Sequence, residues 1–455
     1  MDTLTTLFPQ CGGTGHPAPS PDALRALAAQ DPEARAALDG EAPCQTLFRR
    51  LDQAAGWTRG SLSPQAVEAL YGKKVAMSAS RMDQYQSCHF AYFLRYGLQA
   101  KDRRPAGFDA PAYGSFVHFV LERVLRALRN QGGAAQAEEE TIRALTAQAV
   151  EDYVRQELGG MAHQTPRFRY LFYRLERSVQ AVVDNVVAEL RDSDFQPICF
   201  ELGFGPGQDL PPVEITQGGV TLRISGFVDR VDGWVEDGRL YLRVVDYKTG
   251  RKSFDLTEVW NGLGLQMLLY LFTLEEEGEA LFGRRPVPAG VLYLPARDAM
   301  VAGSRTMDEA ARRRLLDKEL LRRGLILDQE EVVQAMEHGA GELRFLPLRV
   351  SARTGKITGE ALVSAQKLGR LKQHIAHTLG QICQEIARGN IDADPFWRGP
   401  NRNACQYCVY APACHFEEDT DRRHWVPSVR NREFWDWLAQ EEGEGGKDHA
   451  RTENP

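Results

Sequence analysis

Three side chains in the segment from Gly226 to Gly250 have the types and spacing for chemistry on a phosphate: Asp229, Asp246 and Lys248. Asp237-Gly238, set between two apolar runs, is the strongest short-range signal for a two-residue hairpin turn. Counting outward from that turn sets Asp229 opposite Asp246, with Cβ atoms about 4.5–5.5 Å apart on one face. Lys248, two residues further along the same strand, points to that face as well. Carboxylates so placed repel each other unless a cation lies between them, and hard oxygen donors with room for water suit Mg²⁺ or Mn²⁺. A lysine beside that ion orients a water and stabilises charge building on a phosphate, which is metal-assisted phosphodiester hydrolysis. Taken alone, Asp-x-Lys reads as an ordinary ion pair at a strand end; the register with Asp229 argues against that.

Two outlying features fit the same chemistry. His118 follows Gly114 on a helical pattern (Phe116, Val120, Val124, Leu128) and offers an imidazole ligand, with Glu122 one turn along the same face. Gln266 and Tyr270 lie four apart on an otherwise apolar helix, so their polar groups need partners if that helix is buried. A separate constellation, Cys405-x2-Cys408-x5-Cys414, is a compact three-thiolate loop. Its fourth ligand is open between Cys88, Cys199, Cys383 and His415, and tetrahedral zinc and a [4Fe-4S] cluster both fit the spacing.

The elements that must position these groups are helical at first and then sheet-forming. Ser80 reads as the N-cap of a helix containing Cys88, with Asp83 three residues on. Helices follow from Gly114, through Ile142 to Leu158, and through Phe168 to Leu190, the last being the cleanest amphipathic stripe in the chain. After Pro197 the pattern turns to strands (ICFEL, VTLRIS, GFVDRVDGWV, LYLRVVDYK, GVLYLP), interrupted by a helix near Gly262 to Leu274. A basic helical stretch from Asp308 to Arg323, carrying Arg312, Arg313, Arg314, Lys318, Arg322 and Arg323, offers a phosphate-contacting surface or a plain solvated face. A long helix through Leu362 to Ile386 stops at Gly389-Asn390.

The chain has 455 residues, 43% of them hydrophobic and 26% charged, the balance of a globular protein with a substantial core. Its net charge of −7 makes bulk electrostatics repel nucleic acid, so DNA contact must be local or shared with a partner. No apolar run reaches membrane-spanning length and no signal-peptide pattern opens the chain, so a cytoplasmic location is expected and the 8 cysteines are read as ligands rather than disulfides. No G-x4-G-K-[ST] occurs, so no ATP hydrolysis is expected of this chain.

Together, Gly114 to His118, the GFVDRVD segment, Asp246-Tyr247-Lys248 and Gln266-x3-Tyr270 resemble the RecB-type branch of the PD-(D/E)XK nucleases. The flanks, Ser-Ala-Ser-Arg-Met-x2-Tyr85-x2-Cys88 and Cys405-Gln-Tyr-Cys408-Val-Tyr-x3-Cys414-His-Phe, are similar to the C-terminal nuclease region of the AddB type, over about residues 70 to 430. The resemblance implies an α/β fold with a mixed central sheet flanked by helices, with helical additions and an iron-sulfur staple. It assigns metal ligation (Mg²⁺ or Mn²⁺) to His118, Asp229, Asp246 and the main-chain carbonyl of Tyr247, and a catalytic role to Lys248, with Gln266 and Tyr270 supporting the site. It makes Cys88 the distant fourth ligand, with Cys405, Cys408 and Cys414, of a [4Fe-4S] cluster. Where family members commonly carry Pro after the first cysteine, this chain has His89.

The expected organisation is a helical remnant of a helicase-like region over residues 1–75, the nuclease domain over 76–430, and a helix end with a disordered tail over 431–455. The activity implied is that of a Mg-dependent exonuclease acting on single-stranded DNA ends, cutting the 5′-ended strand alongside an AddA-type helicase–nuclease partner in double-strand-break repair. The alternatives are a stand-alone iron-sulfur exonuclease of the CRISPR-associated type and a non-catalytic DNA-binding scaffold.

Overall fold

The computed structural model describes residues 59–444 apart from 102–109, 163, 305 and 419–420, together with 32, 33 and 36. The expectations for residues 1–58 and for the tail after 444 lie outside the described residues. The chain divides into two units, Met1–Gly60 and Ser61–Pro455, and everything below belongs to the second.

Along that unit run strand β1 (Lys74–Met77), helix α1 (Ala79–Ser87), the short helix α2 (His89–Tyr92), and helices α3 (Ala110–Asn130), α4 (Glu139–Gln156) and α5 (Pro166–Arg191). Strands β2 (Gln196–Phe204), β3 (Val213–Gln217), β4 (Val220–Ile224), β5 (Gly226–Glu236) and β6 (Arg239–Lys248) follow. Then come α6 (Gln266–Glu277), β7 (Pro286–Pro295), α7 (Glu309–Glu319), β8 (Arg323–Leu327), β9 (Leu362–Val363), α8 (Ala365–Ala387) and α9 (Asn431–Glu444).

The main sheet has the order β9-β8-β7-β6-β5-β2. Its β2/β5, β5/β6 and β7/β8 pairs are antiparallel, whereas β6/β7 and β8/β9 are parallel. One face packs α6 and α8: Leu242, Val244 and Val291 share a core with Met267, Leu268, Leu271, Leu371 and Ile375. The other face, with Val245, Tyr247 and Leu294, packs α3, α4 and α5 through Phe116, Val120, Val124, Val179, Val183 and Leu190. Each such side chain taken from water contributes about 1.5–3 kcal/mol. Helix α6 is buried on every side from Met267 to Leu274, which is why its apolar residues form no stripe. The mixed α/β architecture is the one the sequence led us to expect.

The hairpin forms as counted. Asp237 and Gly238 both take left-handed backbone angles (φ 48° and 76°), the requirement of a type I′ turn, and Glu236 pairs with Arg239.

Four local expectations are corrected. Helix α1 is capped by Ser78, not Ser80: the Ser78 hydroxyl accepts the Arg81 N–H at 3.3 Å. Asp83 does not close a capping box, because its carboxylate accepts the Gly264 N–H (2.8 Å) and ties α1 to the approach to α6. Cys88 is not inside a helix but at the break between α1 and α2, with an extended backbone (φ −175°, ψ 119°). The basic stretch also divides: α7 ends at Glu319, and Arg322 is fully buried, donating to Glu189 Oε2 at 2.9 and 3.0 Å. It is therefore no part of a phosphate-facing surface.

Candidate active site

The β5–β6 ladder runs from Glu236/Arg239 to Arg230/Val245 and stops one pair short of the two acids. Beyond that point β5 continues beside β2, with Leu202 opposite Val228, and β6 continues beside β7, with Asp246 opposite Tyr293 and Lys248 opposite Pro295. Asp229 and Asp246 thus sit where two strands part company, each strand still held by its other neighbour. Such a fork leaves main-chain groups without ladder partners, and side chains take them. Asp229 Oδ2 accepts the Tyr247 N–H at 2.7 Å. The Tyr247 carbonyl oxygen accepts from His118 Nε2 at 3.1 Å, which places a proton on that nitrogen.

The structure brings the predicted residues together from four elements. Helix α3 supplies His118, whose Nδ1 lies 3.5 Å from Asp229 Oδ1. Strand β5 supplies Asp229; β6 supplies Asp246, Tyr247 and Lys248, with the Lys248 ammonium ion-paired to Asp246. Helix α6 supplies Gln266 and Tyr270, joined by a Gln266 Nε2 to Tyr270 Oη bond of 3.2 Å. Tyr270 closes on the base of β5: a Cβ on Gly226 would stand 2.6 Å from its hydroxyl, and its ring meets Phe204 edge-on at 4.9 Å.

Charge crowding follows from this geometry. Asp246 is 3% exposed, and burial together with the neighbouring Asp229 pushes its carboxyl up to about 6, against the pull of Lys248. For His118, burial opposes the charged form, but the contact with Asp229 and the Tyr247 carbonyl outweigh it and raise the imidazole above its ordinary value. Burial likewise raises the Tyr270 hydroxyl, and the two aspartates add to it.

Two features of the candidate site escaped the sequence reading. Glu201, on β2, joins His118 and Asp229 in a group whose ligand atoms all lie within 4.8 Å of one another. Burial and Asp229 push its carboxyl up to about 7. Asp246, engaged by Lys248, is not in that group. Behind the site, on the opposite face of the sheet, lies a buried ion network. Asp232 binds Arg230 and Arg243 at 2.8 Å each, while Glu189 of α5 contacts Arg243 at 3.2 Å and Arg322 at 2.9 Å. It clamps β5 and β6 together just before they diverge.

Beside Lys248 a cleft of about 600 Å³ opens, lined in part by Arg251, Lys252, Ser253, Asn401, Asn403 and Gln406. It runs between the segment after β6 and the cysteine loop. The Lys248 and Lys252 ammonium groups both sit over the Tyr293 ring, at 5.6 and 5.4 Å.

Cys88 is buried, and its thiol is pushed up to about 12 by burial, with Cys414 among the groups that add to the rise. Cys405 is raised by burial and by Cys408 and Cys414. The two segments are joined independently of any ligand: the His89 N–H and Nδ1 both engage the Asp394 carboxylate (3.1 and 2.6 Å), and the Phe90 N–H donates to the Asp392 carbonyl. The N–H that a proline would lack is thus in use here. The other cysteine candidates for the fourth ligand are held elsewhere. Cys383 is fully buried, with its Sγ donating to the Val220 carbonyl at 3.1 Å, and Cys199 lies in β2 within range of the Arg129 charge.

Residues 76–415 match the family described as the PD-(D/E)XK nuclease superfamily, and the chain belongs to it. It is 34% identical over 393 residues to the AddB subunit of the ATP-dependent helicase/deoxyribonuclease of Desulforudis audaxviator (strain MP104C), covering 85% of this chain and 34% of that protein. The proteins of the same name from Anoxybacillus flavithermus (strain WK1) and Clostridium novyi (strain NT) are 33% and 30% identical, over 82% and 84% of this chain and 33% and 34% of theirs. The chain spans about a third of the length of these curated relatives. No helix among the described residues is long and apolar enough to cross a membrane.

Proposed function

We propose that this member of the PD-(D/E)XK nuclease superfamily is the Mg²⁺- or Mn²⁺-dependent DNA exonuclease module of an AddAB-type helicase–nuclease. The observation that carries the reading is the strand fork holding Asp229, Asp246, Lys248 and the Tyr247 carbonyl beside His118. The donor set is hard oxygen plus one imidazole, and burial together with the neighbouring Asp229 pushes the Asp246 carboxyl up, a crowding that a divalent cation relieves. His118, Asp229, Asp246 and the Tyr247 carbonyl would hold that ion. When bound, it supplies Lewis-acid stabilisation of phosphate charge and lowers the pKa of water.

The chain's own residues do the rest. The Lys248 ammonium, fixed by Asp246, presents positive charge to a phosphate where negative charge accumulates. Tyr270 and Gln266 brace the base of β5, and the cleft with Arg251 and Lys252 gives a strand a path past Lys248. Arg251, Lys252 and Arg402 line the cleft together with Asp83 and Glu258, a slight local cationic excess against the overall −7, which disfavours general binding to DNA.

Cys88, Cys405, Cys408 and Cys414 are proposed to hold a [4Fe-4S] cluster. The physical support is proximity: after burial, Cys414 is among the groups that raise the Cys88 thiol, and Cys408 and Cys414 raise that of Cys405, so sulfurs from both ends of the domain lie close enough to feel one another. The names of the relatives, which join helicase and deoxyribonuclease in one assembly, support DNA as substrate and a helicase–nuclease partner of the AddA type. Action on single-stranded ends in break repair completes the proposed role.

The test is cleavage of end-labelled single-stranded DNA by the chain with Mg²⁺ and with chelator. Wild type is expected to degrade DNA only with the ion, and Asp246→Ala or Lys248→Ala to abolish cleavage with the fold intact by circular dichroism. Full activity in either variant rejects the site.

A further inference from the structure

Resting on the reading of the site as that of a DNA exonuclease, we infer that the N-terminal half of α5 is a second DNA-contacting surface, a stacking platform for single strand outside the cleft. Tyr170, Tyr173, Arg174 and Arg177 follow the i, i+3, i+4, i+7 spacing that places them on one helix face, and Arg167 extends that face by a turn. The opposite stripe of the same helix, with Phe172, Val179 and Val183, is buried in the core shared with α3 and α4. The two tyrosines add nothing to that core: they are 67% and 58% exposed. The three arginines are exposed as well, and among the described residues none of these five side chains takes part in a hydrogen bond, ion pair or ring contact.

Charge and position say what covers this face. Over residues 166–180 four arginines stand against one acid, Glu176, which lies off the face and is half-buried, in a chain whose overall charge is −7. Free guanidinium groups beside exposed aromatic rings fit a polyanion whose bases can stack, which is single-stranded nucleic acid bound without regard to sequence. The face is also continuous with the active site. Its last arginine, Arg177, precedes Ser178, whose hydroxyl lies 3.0 Å from that of Tyr113 at the start of α3. Next to Tyr113, a Cβ on Gly114 would stand 3.7 Å from Thr249 Oγ1, and Thr249 follows Lys248. From Ser178 back to Tyr170 the helix rises about 12 Å. A strand running from Lys248 along α5 therefore meets Arg177 and Arg174 first and then the two rings.

Binding of a fluorescent oligothymidine, longer than about 16 nucleotides, to the whole chain in chelator reads this apart from cleavage. The double variant Tyr170→Ala/Tyr173→Ala is expected to bind at least about fivefold more weakly, and Tyr170→Phe/Tyr173→Phe, which keeps the rings, to bind like wild type. Arg174→Ala/Arg177→Ala should weaken binding and flatten the slope of log affinity against log salt by about 1.4, the loss of two phosphate contacts. If both alanine pairs bind like wild type, or wild type binds no strand, the platform is refuted. It is refuted too if the phenylalanine pair loses as much affinity as the alanine pair, since the rings then do not stack. Sedimentation that shows a wild-type dimer and monomeric variants, with strand binding intact, makes the face an interface with a second copy instead. A wild type that binds as expected but cleaves nothing in Mg²⁺ removes the nuclease reading and leaves the platform standing.

Discussion

The Asp229 carboxylate accepts the backbone N–H of Tyr247 at 2.7 Å, at the point where the hairpin ladder between their strands has ended. One side chain therefore holds the strand bearing Asp246 and Lys248 in place while its second oxygen faces His118. Charge and scaffold roles separate on substitution. Asp229→Asn keeps an acceptor for the buried N–H and should melt near wild type, whereas Asp229→Ala leaves that donor unpaired and should cost about 1–3 kcal/mol. Both should lower DNA cleavage by more than about 100-fold. Thermal melts beside a nuclease assay check this; equal melting of the two variants would show that the bond to Tyr247 carries no structural weight.

The hairpin half of this site was legible because a two-residue Asp-Gly turn fixes register over many residues, here undisturbed as far as Arg230 and Val245, one pair short of the two acids. Glu201 was not legible. Its strand reaches β5 only after β3 and β4 intervene and after a register shift, so no count from a turn could set it opposite Asp229. Arg322 was misread for a related reason: its basic neighbours lie on an exposed helix, and only tertiary contact with Glu189 on a distant helix takes it inside. Cys88 was placed in a helix because the aromatic run after it keeps helical spacing; the break there arises from the docking of His89 and Phe90 on residues 392–394.

The ion network behind the fork should be costly to break. Glu189 is 2% exposed and faces Arg322, Arg243 and Arg230. Burial opposes its charge, but the three guanidinium groups win and hold the carboxyl at about 2. Removing it leaves buried cations uncompensated, so Glu189→Gln should lose about 3–5 kcal/mol in urea unfolding at neutral pH. The sign of the pH effect follows from the lowered value. The stabilisation is present above the ordinary carboxyl range and is lost as pH falls from near 4.5 toward 2. Wild type should therefore lose stability across that window, and Glu189→Gln, starting lower, should show a flatter profile. A parallel decline in the two proteins would mean that Glu189 is not the group responsible.

Gly226 sets the spacing between β5 and α6. A methyl group there would stand 2.6 Å from the Tyr270 hydroxyl and 3.3 Å from the Phe204 ring, so Tyr270 must move away from the site. Gly226→Ala is expected to cost about 1–3 kcal/mol by overpacking and to slow cleavage. Tyr270→Phe in the same background removes the nearest atom and should recover part of the lost stability. No recovery would place the strain elsewhere.

The two ends of the domain are joined next to Cys88 by the His89–Asp394 bonds, to which the proposed cluster would add a second kind of link, and the two should fail differently. Asp394→Ala removes the bonds to the His89 N–H and ring, leaves a mostly buried imidazole unpaired, and should cost about 1–3 kcal/mol while the thiols keep their ligand. Cys88→Ala or Cys408→Ala removes a ligand whose binding energy is folding energy, across a loop of more than 300 residues whose closure cost grows only slowly with length, so the whole domain should lose thermal stability. Anaerobically purified wild type and Asp394→Ala should both be brown with broad absorption toward the violet, and the cysteine variants colourless. A colourless wild type carrying stoichiometric zinc would replace the cluster but leave the staple standing. Cysteine variants that melt with wild type would remove the staple itself, leaving His89 and Asp394 to hold the ends together.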